Sequence, residues 1–219
     1  MKKRFTLLQM LVHLYAWSAL LRLLLDFILG NLSPNPIQDL EQRTGRHAIT
    51  LLVLSLLCTP LNTLFGWKEP LKRRRALGLY AFLYATLHML IYLDLDYGLA
   101  WSRIFQNVIE KPFILFGAVA FLMLIPLAAT SFDVWKRRLQ KNWKRLLHRL
   151  VYLIAPVAVL HYGLSKKGNF LQLQGDVTRP FVYGLLILTL LILRLSPVRR
   201  WFASLRTRCL LSLFRRRPA

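Results

Sequence analysis

Six stretches of this chain are apolar over nearly their whole length, at residues 5–29, 47–67, 76–93, 113–132, 147–164 and 181–195, and charged segments separate them. A helix that crosses a bilayer needs roughly 17 to 25 mainly apolar residues. The pattern therefore predicts an all-α integral membrane protein, a bundle of six transmembrane helices. The last run has fifteen residues, short for a full span unless its helix starts near Val177 or continues past Arg194 with the guanidinium snorkelling to the headgroups. Pro60, Pro126 and Pro156 interrupt the second, fourth and fifth runs and predict kinks there.

Composition supports this picture and charge orients it. Fifty-six per cent apolar residues and a mean hydropathy of +0.42 exceed what a soluble domain of 219 residues can bury. With the N-terminus inside, 23 of the 31 Lys and Arg lie on the inner side and seven on the outer side, with Arg22 within the first run. The positive-inside rule then places both termini in the cytoplasm. Six of the nine acids fall outside, so the inner face carries almost the whole net charge of +22, and nothing in that bias calls for nucleic acid. Lys2, Lys3 and Arg4 precede the first run as they would in a secretory leader, but its length and the lack of an A-x-A-like site predict a retained span.

Residues 1–196 are read as the transmembrane domain and 197–219 as a basic cytoplasmic tail. In the tail Trp201, Phe202, Leu205, Cys209, Leu210, Leu213 and Phe214 gather on one helical face among arginines. That pattern predicts an amphipathic helix on anionic membrane lipid, the other reading being a dock for a cytoplasmic partner. Cys58 and Cys209 make no C-x-x-C pair, and Cys58 reads as a small buried hydrophobe. No G-x-G-x-x-G or P-loop occurs, so nucleotide chemistry belongs to a partner.

Histidines inside spans carry the candidate chemistry. His88 lies thirteen residues beyond Arg75 in the third run, and His161 lies sixteen beyond Arg145 in the fifth. At ~1.5 Å per residue their depths differ by about 5 Å, so two imidazoles can meet in the outer half of the membrane. Such a pair can hold a haem iron from both sides and close both axial positions, which suits one-electron transfer. Gly78, Ala81, Ala85, Ala155 and Ala158 could admit a flat ring; the other reading is helix-on-helix packing, with the histidines as hydrogen-bonded interior residues. His148 lies near the cytoplasmic face, either an interfacial histidine or a ligand of a second, inner haem, for which His13 is a conceivable partner. His47 is expected to be solvated at the outer edge. Arg22 and Asp26, four apart, suit an ion pair, against contact with a propionate or quinone.

The segments RRRALGLYAFLYATLHML, TGRHAITLL with CTPL, LAATS, and WKRLLHRLVYLIAPVAVLHY together resemble the MsrQ (YedZ) family, haem-binding membrane subunits of bacterial periplasmic methionine sulfoxide reductase systems within the ferric-reductase-like transmembrane superfamily. The resemblance implies haem b held through His88 and His161, with His148 as a third family histidine in haem binding or electron entry. It also implies FMN, for whose phosphate Arg73, Arg74, Arg75, Lys136, Arg137 and Arg138 are the available cytoplasmic cations. It implies the bacterial inner membrane, electrons from the quinone pool or a cytoplasmic flavin reductase, and delivery to the periplasmic molybdopterin-containing reductase MsrP. The related oxidases and ferric reductases carry a flavin and nicotinamide domain after the last helix. Here the sequence stops, so electrons are expected from outside the chain. His47 matches no family ligand, and the tail looks variable. The alternatives are a self-sufficient ferric reductase, which would reduce ferric chelates without a partner, and a non-redox transporter or scaffold, which would lack a Soret band.

Overall fold

The computed structural model describes residues 6–132, 149–166, 168–169, 174–202 and 204. Apart from a two-residue strand pair, its described elements are helical. In chain order they are α1 (Leu7–Ile28), α2 (Pro36–Phe65), α3 (Lys68–Leu90) extended by a π-helical turn (Ile91–Asp96), α4 (Trp101–Glu110), α5 (Pro112–Ala129) and α6 (Val151–Leu164). Strands β1 (Gly168–Asn169) and β2 (Gln174–Gly175) follow, then α7 (Thr178–Ile192) and α8 (Ser196–Phe202).

Each of the six apolar runs carries a helix. Four helices (α1, α2, α3 with its extension, and α5) are long and apolar enough to cross a membrane, and the pair α7–α8, bent by 75°, counts as a fifth when taken as one broken span. Helix α6 is a shorter apolar helix of 14 residues. The chain is a multi-pass membrane protein, and its large exposed side chains, such as Leu14, Leu122, Leu153 and Leu188, are those a hydrocarbon surround requires.

Helix α2 begins eleven residues earlier than its apolar run. Asn35 caps it by accepting from the Gln38 amide, and Pro36 occupies the first turn, where no amide donor is needed. At the other end Gly66, at φ 69°, turns the chain back into α3. That hairpin is the core. Leu51, Leu52, Leu56, Leu77, Ala81 and Tyr84 are buried in it, together with Val151, Ile154 and Ala155 of α6 and Ile187 and Leu190 of α7. Ala81 and Ala155 thus serve helix packing. Cys58 is the small buried hydrophobe expected, its thiol donating to the Leu54 carbonyl.

Helix α1 lies on the outside of the bundle, with Ala16 as its buried residue, and is tied in by the Tyr84 hydroxyl donating to the Ala16 carbonyl at 2.6 Å. Its C-terminal end is held differently from the sequence expectation. Asp26 pairs with Arg43 of α2 at 2.6 Å, and Asp39 accepts from the same guanidinium at 2.8 Å. Arg22, the expected partner of Asp26, is exposed. The i,i+4 rule sees neighbours on one helix, whereas the partner chosen lies seventeen residues away on the next.

Arg194 also departs from expectation. Instead of snorkelling it is buried, 8% exposed, and Nη2 donates to the Leu56 carbonyl at 2.6 Å and to Thr59 Oγ1 at 3.1 Å. The reason lies four residues along α2. Pro60 has no amide hydrogen, so the Leu56 carbonyl loses its helical donor and Arg194 supplies one. Two further features had no sequence signal. Helix α4 exposes Trp101, Phe105 and Ile109 along one face while burying Ile104, and Lys166 bridges Asp176 at 2.7 Å and Gln42 at 3.1 Å beside the strand pair. Of the predicted tail helix, α8 is described, and the remainder lies outside the described residues apart from Ser204.

Candidate functional site

His88, in the last turn of α3, and His161, in the last turn of α6, come together at the end of the bundle that the charge pattern reads as outer, with ring centroids 5.9 Å apart and planes inclined by 71°. Each ring is half-buried and each is fixed by a main-chain oxygen of a neighbouring helix. His88 Nδ1 donates to the Glu41 carbonyl of α2 at 3.0 Å, and His161 Nδ1 donates to the Phe113 carbonyl of α5 at 2.7 Å. A carbonyl can only accept, so the proton of each neutral imidazole sits on Nδ1 and each Nε2 keeps its lone pair. This is the outer-sphere arrangement of metal-ligating histidines, in which a bond to one nitrogen sets the tautomer and orientation of the other. The spacing agrees. Two imidazoles about 2 Å from one metal on opposite sides hold their centroids roughly 6 Å apart. By donor chemistry and spacing, the pair fits a haem iron taking two axial nitrogens.

Two residues of this site had no signal in the sequence. A Cβ added to Gly117 would stand 2.7 Å from His161 Nδ1 and 2.8 Å from its Cε1, and one added to Gly45 would stand 3.4 Å from His88 Cε1. The small residues that lie against the two imidazoles are these two on the facing helices.

Among the described residues, the remaining candidates are dispersed. His47 is half-buried, accepting from or donating to Tyr15 Oη at 3.2 Å with its ring against Tyr84, so it is packed and not solvated as expected. The reason is that α2 is already helical at this point and turns His47 towards α1 and α3. His13 bonds Tyr80 Oη at 2.7 Å, with Trp17 edge-on to the same tyrosine. His148, Lys136, Arg137 and Arg138 lie outside the described residues. Of the arginines expected on the cytoplasmic side, Arg73 is engaged by Thr6 and Glu69, whereas Arg74 and Arg75 line a cavity of about 380 Å³ with Ser55, Gly78, Thr130 and Ser131. This cavity lies between α2, α3, α5 and α6, at the opposite end from the histidine pair.

Residues 44–159 match the family described as ferric reductase like transmembrane component. A protein of Xanthomonas axonopodis pv. citri named protein-methionine-sulfoxide reductase heme-binding subunit MsrQ is 42% identical over 160 residues, 73% of this chain and 70% of the relative. A protein of the same name from Rhodospirillum rubrum is 39% identical over 175 residues, 80% of each chain. Matched from α2 into α6 over a range that includes His88 and stops two residues before His161, and similar to these relatives over most of its length, the chain belongs to the ferric reductase-like transmembrane family and, within it, to the MsrQ proteins.

Proposed function

We propose that this chain is a haem b electron-transfer subunit of the bacterial inner membrane, six helices with both termini in the cytoplasm. It serves a periplasmic molybdopterin-containing methionine sulfoxide reductase of the MsrP kind, which repairs oxidised proteins. The observation that carries the reading is the facing pair His88 and His161, each with Nδ1 committed to a main-chain carbonyl and Nε2 free to ligate. A bis-histidine haem supplies one-electron transfer without an open site for substrate. The protein's part is to hold both ligands in one tautomer, exclude water from their apolar surround, and present the site near the outer surface.

The reading is tested by the absorption spectrum of the purified protein, oxidised and reduced, with His88→Ala and His161→Ala beside it. Each substitution is expected to abolish the low-spin signature. Normal haem content and an unchanged spectrum in both would sink the assignment. A reporter fused after Ala219 is expected to be active in the cytoplasm, and activity confined to the periplasm would reverse the topology.

Electrons enter from the quinone pool or a cytoplasmic flavin reductase, and His148 serves entry or a second haem. Stopped-flow absorbance of His148→Ala is expected to show slowed re-reduction with oxidation by the periplasmic partner intact; the converse would reverse the assigned direction. FMN, if extracted with the haem, is assigned to the inner cations. Arg74 and Arg75 at the inner cavity support that placement, and loss of extractable flavin in their alanine variants checks it.

A further inference from the structure

Both histidine seats are built on the same local pattern. The oxygen accepting from His88 belongs to Glu41, and the glycine against that ring is Gly45; the oxygen accepting from His161 belongs to Phe113, and the glycine against that ring is Gly117. In each case the glycine lies four residues after the accepting carbonyl on the same helix.

The spacing has a physical reason. In an α-helix the carbonyl of residue i bonds the amide of i+4, and helical side chains tilt back towards the N-terminus, so the side chain of i+4 stands over that same carbonyl. The molecule displays this directly. Thr44, Thr50, Thr63, Thr86, Thr130 and Thr189 each return their hydroxyl to the carbonyl four residues before them, at 2.7 to 3.1 Å. A glycine at i+4 removes that cover. It leaves the flank of the helix flat enough for an imidazole to lie against and reach the oxygen, although the Glu41 carbonyl is shared, accepting from the Thr44 hydroxyl three residues on at 3.0 Å as well as from His88.

We infer that Gly45 and Gly117 are positioning residues for the haem ligands: each uncovers one helical carbonyl, which then fixes the tautomer of a histidine and strengthens it as a ligand. This rests on the assignment of His88 and His161 as the axial pair and says how that pair is held and tuned. A hydrogen bond from Nδ1–H to a carbonyl makes the imidazole more basic at Nε2, which favours ferric over ferrous iron. The two seats differ in tightness. At Gly117 a methyl group has no room beside the His161 ring, whereas at Gly45 it just makes contact with His88. Alanine is therefore disruptive at one position and tolerated at the other.

The experiment compares Gly117→Ala, Gly45→Ala and Gly45→Val in the full-length membrane protein. It reads low-spin haem per polypeptide, the midpoint potential by spectroelectrochemical titration, and yield and melting as a record of folding. Gly117→Ala is expected to lose more than ten-fold of the low-spin haem, and what it retains titrates at a higher potential. Gly45→Ala is expected to keep the low-spin complement within two-fold. Gly45→Val, which reaches further towards His88, raises the potential and carries the test should Gly117→Ala fail to fold. An unchanged spectrum and potential in both Gly117→Ala and Gly45→Val would overturn the inference, as would equal loss from the two alanine variants. If His88→Ala and His161→Ala themselves keep the haem, the ligand assignment fails instead, so the two failures are distinguishable.

Discussion

Two arginines sit in the bundle at opposite ends, and the protein treats them in opposite ways. At the outer end the guanidinium of Arg43 has all three nitrogens in use, Nε and Nη2 on the Asp39 carboxylate and Nη1 on Asp26. At the inner end Arg194 uses Nη2 alone, on Leu56 and Thr59, with its carbon 5.6 Å from the centre of the Tyr152 ring, while Nε and Nη1 are buried without a partner. The first is a charge met by charges, and it locks α1 onto α2 beside the histidine pair. The second patches a main-chain fault left by Pro60. A partly buried cation is thus stabilising or merely tolerated according to what faces it, and the end with the matched charges is the end that holds the candidate site.

The strongest way to break this contrast is Arg43→Ala, which leaves Asp26 and Asp39 facing one another, each largely out of solvent. It is expected to cost about 2 kcal/mol, discounted for the partial exposure of the network, and to loosen α1. Melting in detergent, with protease accessibility of α1, measures it, and an unchanged melting point would show the clamp to be idle.

Arg194→Met is expected to cost about 1.5 kcal/mol, the loss of a charged donor being offset in part by release of its two unpartnered nitrogens. The sharper form is a double-mutant cycle. In a Pro60→Ala background the Leu56 carbonyl regains an amide donor, so the cost of Arg194→Met falls towards zero. Additive effects would refute the link between the two residues. Next in size comes Tyr84→Phe, which removes the buried bond to the Ala16 carbonyl and is expected to cost about 1 kcal/mol while leaving the Arg43 clamp intact. Its effect should add to that of Arg43→Ala, since both hold α1 at separate levels.

The smallest effect is one of pH. The hydrogen bond from Lys166 holds the Asp176 carboxyl below the usual aspartate value of 3.8. The folded state therefore binds this proton less readily than the unfolded chain. The associated stability is present above that value and is lost as the pH falls through the lowered one. Asp176→Asn is expected to flatten the acid limb of the stability profile slightly; an identical limb in both proteins would show that the pair contributes nothing.

The sequence made legible the apolar helices taken one at a time. Run lengths located the apolar helices, and the residue count from the basic residues before each brought His88 and His161 to nearly one level. What depends on two helices at once was hidden. Asp26 had a plausible partner four residues away in Arg22, but the one used is on α2. Residues 36–46 are too polar to score as membrane and are nevertheless helical, because a cap, a proline and the ionic clamp support them. Gly45 and Gly117 look like any other small residues until the register between helices sets an imidazole against each.

The oxygens that fix both imidazoles belong to the main chain, and this has a genetic consequence. A side-chain acceptor can be deleted by a single codon change, whereas a peptide carbonyl is supplied by whatever amino acid occupies positions 41 and 113. The acceptors are therefore invulnerable to point mutation as chemical groups, and the fragility of the two seats is concentrated in two glycine codons. Sequence drift can alter Glu41 or Phe113 and keep the hydrogen bond, but it has almost no freedom at position 117, where even one methyl group meets the ring.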